Sequence, residues 1–338
     1  MLSIYASAYP DSKPHYAILD GLRGVASLVV VAFHLFEAHA ASHADQIINH
    51  GYLAVDFFFV LSGFVIGYAY DDRWGRMTYR DFFKRRLIRL HPMVVMGMLI
   101  GAAAFYFGAG GPYEMIAGVP VGRMLLILLL GCLMIPVPPS MDIRGWSETY
   151  PLDGPAWSLF FEYIANICYA LVLRRLSKLL LGALAVVAAC FTVRLAVTQG
   201  DMIGGWALDG EQLGVGFTRL AYPFIAGLLL YVYLLCVVKG QLSKIATNIS
   251  GGMFVTFIAV LIYQLGLGHH LSEIIIGSII PLVPGVAFTN GIRDIADQDY
   301  IAGAVRMLDA LLVTFSIAMG VGLVMIGYHH FVGGAILP

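Results

Sequence analysis

Four short stretches put ionisable side chains inside or at the edge of long apolar runs. A charge there is costly and points to a cavity or a partner. The first stretch is Leu19-Asp20-Gly21-Leu22-Arg23-Gly24, running on to Phe33-His34. Arg23 and His34 are eleven positions apart, which on a helix brings them within roughly 20° of one another and about 16 Å apart along the axis. An imidazole titrates near neutral pH and suits general-base work on a sugar hydroxyl. The alternative is a buried histidine bonded to a neighbouring carbonyl, with Arg23 as an interfacial anchor.

The second stretch, Gly51-Tyr52-Leu53-Ala54-Val55-Asp56 running to Ser62-Gly63-Phe64, places Asp56 at the outer start of an apolar run. Asp56 is either a solvated interfacial carboxylate or a partner that orients a histidine or binds an acceptor hydroxyl. The third stretch, Phe82-Phe83-Lys84-Arg85-Arg86-Leu87-Ile88-Arg89-Leu90-His91-Pro92, is basic and amphipathic. It fits an anchor on anionic lipid. It also fits a phosphate clamp, because Arg86 and Arg89 lie one helical turn apart and could grip the phosphates of coenzyme A. The fourth, Trp157-Ser158-Leu159-Phe160-Phe161-Glu162, carries Glu162 early in another apolar run. Its plausible cationic partners are Arg23 and His34.

The elements that must position these groups are membrane helices. The chain has 338 residues, of which 59% are hydrophobic and only 12% charged, with a mean hydropathy of +0.83. A soluble fold of this size could not cover that much apolar surface. The net charge of −1 gives no footing for nucleic acid. Cys132, Cys168, Cys190 and Cys236 all lie in apolar runs without a Cys-x-x-Cys pair, which favours core residues over a zinc site or disulfides. The polar first fifteen residues lack the apolar core of a cleavable signal.

Runs long enough to span a bilayer lie near 18–38, 52–70, 92–108, 123–138, 156–173, 179–198, 218–238, 250–267, 271–289 and 305–328. The expected fold is therefore an all-α, polytopic transmembrane bundle of about ten spans. The basic segment 73–89 should be cytoplasmic, which puts the N-terminus inside. Arg174-Arg175-Leu176-Ser177-Lys178 should be cytoplasmic too. Three crossings between these two segments cannot satisfy both, and Pro136-Val137-Pro138-Pro139 marks 123–138 as the run that is re-entrant or two-part.

With these residues laid out, a family resemblance emerges. LDGLRG…FH, GYLAVDFFFVLSGF, RRLIRLHP and WSLFFE, followed by Arg219-Leu220-Ala221-Tyr222-Pro223-Phe224, resemble in order the motifs of the acyltransferase-3 family over about residues 16–238. His91 stands where that family more often has an aromatic such as Tyr. The resemblance implies a multi-pass protein of the bacterial inner membrane. It implies transfer of an acyl group, commonly acetyl, from cytoplasmic acyl-CoA to a hydroxyl of a carbohydrate or lipid-linked glycan. It implies His34 as the essential catalytic residue and roles for Arg23, Arg86 and Arg89, with the neighbouring Arg85, at the acyl donor. Asp56 and Glu162 follow as groups that tune His34 or bind the acceptor. No metal is expected, although His39 and His43 are spaced one turn apart. Membrane lipid and the glycan acceptor are the expected partners.

The acyltransferase pattern stops at about residue 238. Residues 241–336, with Ile280-Pro281-Leu282-Val283-Pro284-Gly285-Val286-Ala287-Phe288-Thr289-Asn290-Gly291-Ile292-Arg293-Asp294, resemble instead the membrane part of a threonine/serine exporter family. Proline and glycine there interrupt an apolar run beside Thr289 and Asn290, and a broken helix offers backbone groups to a polar solute. The expected organisation is a tail at 1–15, an acyltransferase-like membrane domain at 16–238 and an exporter-like segment at 239–338. A small-solute exporter, or a fusion remnant without activity, is the alternative function.

Overall fold

The computed structural model describes residues 16–37, 39–40, 45–108, 118–238, 240, 242–264 and 270–333. The tail, His43 and His269 lie outside the described residues. Among the described residues eleven α-helices follow one another: α1 Ala17–Glu37, α2 Leu53–Tyr70, α3 Tyr79–Phe107, α4 Val121–Cys132, α5 Ala156–Leu171, α6 Lys178–Gln199, α7 Gly210–Val238, α8 Lys244–Gln264, α9 Leu271–Ile279, α10 Gly285–Ala296 and α11 Tyr300–Val332. The described residues contain no strand. Eight helices among the described residues are long and apolar enough to cross a membrane. α9 with its 3-10 extension and α10 are bent by 56° at Val283-Pro284 and together are long and apolar enough to make up to one more crossing. The protein is thus an integral, multi-pass, all-α membrane protein.

The run at 123–138 is not a span. α4 has 12 residues, about 18 Å at 1.5 Å per residue, too short for a core of about 30 Å. Proline at 136, 138 and 139 cannot continue the helix. The chain instead folds back on residues 149–150: Val137 N–H donates to the Thr149 carbonyl (3.0 Å), and the Tyr150 hydroxyl donates to the Met134 carbonyl (3.0 Å). Two crossings, α3 and α5, then separate the basic segments, and both can lie on one side. Their contact agrees, because the Tyr79 hydroxyl accepts from Arg174 (2.9 Å) and from Arg175.

α3 begins well before residue 92. Thr78 caps it in a reciprocal box with Asp81, so Arg80 to Arg89 form the first turns of the span itself.

Between Tyr233 and Leu234, within α7, the chain divides into two compact units; the sequence pattern puts its break at 238/239. In the first unit, α2 and α7 touch backbone to backbone. A Cβ on Gly63 would fall on the Phe224 carbonyl, and one on Gly227 on the Val60 carbonyl. Small residues permit such an approach. One face of α2, through Asp56, Gly63 and Gly67, is thereby turned to α7.

In the second unit α8 and α11 run parallel. Lys244 pairs with Asp309 (2.6 Å) at one end, and Gln264 donates to the Tyr328 hydroxyl (2.6 Å) at the other. Parallel neighbours need one return crossing between them, which the bent α9–α10 pair provides.

Candidate active site

Two buried ion pairs organise the first unit. At the N-terminal end of α2, Asp56 and Arg219 are both buried. Arg219 Nη2 lies 2.7 Å from Asp56 Oδ2, and its Nε lies 3.3 Å from each carboxylate oxygen. The remaining donors reach the Gly204 carbonyl (3.0 Å) and the Tyr52 carbonyl (2.8 Å). The guanidinium also sits 5.1 Å from the Trp157 ring centroid. Asp56 is therefore not a solvated carboxylate, and its hydrogen-bond partner is Arg219 rather than a histidine. Arg219 was missed as a functional residue. The signal was available, since a lone arginine inside a span requires an acid at similar depth.

The second pair lies deeper. Arg86 Nη2 donates to Glu162 Oε1 at 2.6 Å, and the Ser62 hydroxyl donates to the same oxygen at 2.9 Å. Glu162 thus takes Arg86, not Arg23 or His34. Arg86 is 3% exposed because it falls in the inward stripe of α3 with Phe82, Val94, Met98, Ala102 and Phe105. Beside the pair opens a cavity of about 310 Å³. Its polar lining is Arg23, Arg86, Arg89, Ser62, Ser158 and Glu162, and Phe58, Phe59 and Leu159 are among its apolar walls. Three cations around one acid leave the cavity with excess positive charge, as an anionic ligand needs. Arg23, at its edge, also pairs with Asp20 (2.9 Å). Arg85 is exposed and does not line the cavity.

His34 is not among the lining residues of this cavity. It sits in the last turn of α1, half exposed, with Nδ1 2.9 Å from Glu37 Oε2. By helix rise it lies about 16 Å along α1 from Arg23. The same end of the unit carries the segment 133–155. There Glu148, paired with Arg144 at 3.3 Å, is pushed up to about 7, first by burial and then, less strongly, by the charges of Asp142, Asp153 and Glu37, against the pull of Arg144. His91, the departure from the family pattern, has Nδ1 3.3 Å from the Tyr163 hydroxyl and links α3 to α5. No group of three metal-ligating side chains occurs among the described residues.

In the second unit the interrupted span is present, and its Thr289 hydroxyl donates to the Gly285 carbonyl within α10 (2.9 Å).

Comparison with known proteins adds two kinds of likeness. Residues 211–327 match the ThrE family, described as "Putative threonine/serine exporter". Among curated proteins, "Protein 2 in picA locus" of Rhizobium radiobacter is 35% identical over 162 residues, 46% of this chain and 81% of that protein. "Acyltransferase MdmB" of Streptomyces mycarofaciens is 30% identical over 171 residues, 48% of this chain and 40% of that protein. A Staphylococcus aureus (strain COL) protein named "Putative O-acetyltransferase" is 39% identical over 90 residues, 25% of this chain and 13% of that protein. The chain thus spans less than half the length of the two relatives named as transferases. No solved structure matches it.

Proposed function

We propose, from the premise that the chain belongs to the same family as protein 2 in picA locus of Rhizobium radiobacter, that it is a membrane acyltransferase. It moves an acyl group, acetyl by preference, from cytoplasmic acyl-CoA to a hydroxyl of a carbohydrate or lipid-linked glycan, in the bacterial inner membrane. The partial likeness to proteins named as acyl- and acetyltransferases supports this reading. The observation that carries it is the cationic cavity of Arg23, Arg86 and Arg89 beside the buried Arg86–Glu162 pair. The cavity is suited to the phosphates of coenzyme A. The extended pantetheine arm then spans the distance along α1 to His34, which acts as general base on the acceptor hydroxyl.

Arg89 tests the donor site without disturbing a buried pair, because it is exposed and lines the cavity. A charge-assisted hydrogen bond contributes about 1.5–3 kcal/mol, so Arg89→Gln is expected to weaken coenzyme A binding about 10- to 100-fold. Titration calorimetry in nanodiscs reads it. Unchanged affinity would remove the phosphates from this cavity.

A second reading attaches to the second unit. The ThrE match and the 56° break in one span favour a path for a small polar solute such as an amino acid. Counterflow in vesicles distinguishes the two readings.

A further inference from the structure

We propose that Glu37 is the positioning residue of His34, a role that rests on the acyltransferase reading above. His34 Nδ1 lies 2.9 Å from Glu37 Oε2, three residues further along the same helix. A carboxylate only accepts, so Nδ1 carries the hydrogen and the lone pair of the ring is left on Nε2. Nε2 makes no hydrogen bond among the described residues. This is the tautomer that a general base requires, and Glu37 sets it in the way a triad acid sets its histidine.

The turn carrying the pair is fixed in direction. Ala26 and Phe33 are the buried residues of α1. The Phe33 ring meets His34 edge-on at 5.3 Å and Tyr52 at 6.1 Å, and its Cβ closes on Gly51, where an added Cβ would lie 2.7 Å away. Phe33 therefore pins the end of α1 to the start of α2, and the imidazole next to it inherits that orientation. The two carboxylates that the sequence offered as partners are bonded elsewhere, Asp56 to Arg219 and Glu162 to Arg86 and Ser62. Glu37 occupies the place that Asp56 was expected to fill.

In the reaction, Nε2 takes the proton of the acceptor hydroxyl as its oxygen bonds to the acyl carbon. The C–S bond of the thioester breaks, coenzyme A leaves as the thiolate, and the imidazolium returns the proton to sulfur. The positive charge that appears on His34 forms beside the Glu37 carboxylate and at the C-terminal end of a helix, and both favour it. Both the tautomer and the charge bear on the proton transfer, so Glu37 acts on turnover and not on donor binding.

The test is a kinetic cycle on the full chain in nanodiscs, with acetyl-CoA as the probe. Glu37→Gln is expected to lower kcat by about 100-fold or more while the KM for acetyl-CoA stays within about 3-fold. Glu37→Asp, which keeps the carboxylate on a shorter stem, is expected to fall between them. In a His34→Ala background, Glu37→Gln is expected to cost nothing further, because the two residues act as one unit. Glu37→Gln with kcat near wild type, or with the same loss in the His34→Ala background, overturns the role. If Glu37→Gln elutes as aggregate, Glu37→Asp decides: wild-type elution with a reduced kcat supports the role, and an undiminished kcat ends it. An inactive His34→Ala beside a fully active Glu37→Gln removes this inference alone. Absence of turnover by wild type, or full activity of His34→Ala, removes the acyltransferase reading together with it.

Discussion

Arg219→Ala is expected to destabilise the first unit by about 3–5 kcal/mol. The change removes the side-chain partner of a buried acid: Arg219 reaches Asp56 through two nitrogens and ties the Gly204 and Tyr52 carbonyls to it. The side chain is 2% exposed, so the acid it pairs with sits away from bulk water. Breaking a buried pair from one side costs about 3–5 kcal/mol, because the other charge is left uncompensated. Whole domains are stable by only about 5–15 kcal/mol. Arg219→Lys is expected to rescue little, since an ammonium cannot direct donors to three acceptors held by a planar fork. Size-exclusion profiles and thermal unfolding in detergent read both variants. An Arg219→Ala protein that elutes and melts like wild type would show that the pair does not hold the unit together.

The Arg86–Glu162 pair should separate stability from function. Arg86→Met alone leaves Glu162 in the bundle with Ser62 as its one side-chain donor among the described residues, and should destabilise by about 3–5 kcal/mol. The double variant Arg86→Met/Glu162→Met replaces both charges by apolar side chains. Such replacements are often neutral or stabilising, so its melting temperature should return to near that of wild type. Coenzyme A binding should not return, because the cavity has lost one of its three cations and the acid that fixes it. Melting curves and ligand titration on the same preparations give the answer. A double variant that is stable and still binds coenzyme A with wild-type affinity would make the pair purely structural. One that stays as unstable as the single variant would contradict the account of why the pair is costly to break.

Much of this was legible in the residues. Apolar runs of about 20 marked most of the spans, and the prolines at 136, 138 and 139 marked the run at 123–138 as one that fails to cross. The depth of Arg86 was also available, because it keeps phase with Phe82, Val94 and Met98, although the run of basic residues around it reads as a surface. The pairings were less accessible. Asp56 and Arg219 are 163 positions apart and Arg86 and Glu162 are 76 apart. Which acid meets which base depends on how the helices pack, and no local pattern carries that. The backbone contact at Gly63 and Gly227 sets one of those choices. Periodicity put Arg23 and His34 on one face of α1 but could not show that only Arg23 would border the cavity. The partner of His34 was in plain view three residues away, yet Glu37 at a helix end reads as an ordinary interfacial acid.

Acyl transfer through His34 is the centre of the account, and the most direct test is turnover of acetyl-CoA by the purified chain in nanodiscs, wild type beside His34→Ala. Thiol release by the wild type that falls by about 100-fold or more in a His34→Ala protein of unchanged elution and melting is the predicted result. Thiol release that survives His34→Ala, or a folded, monodisperse wild type that releases none, would contradict it.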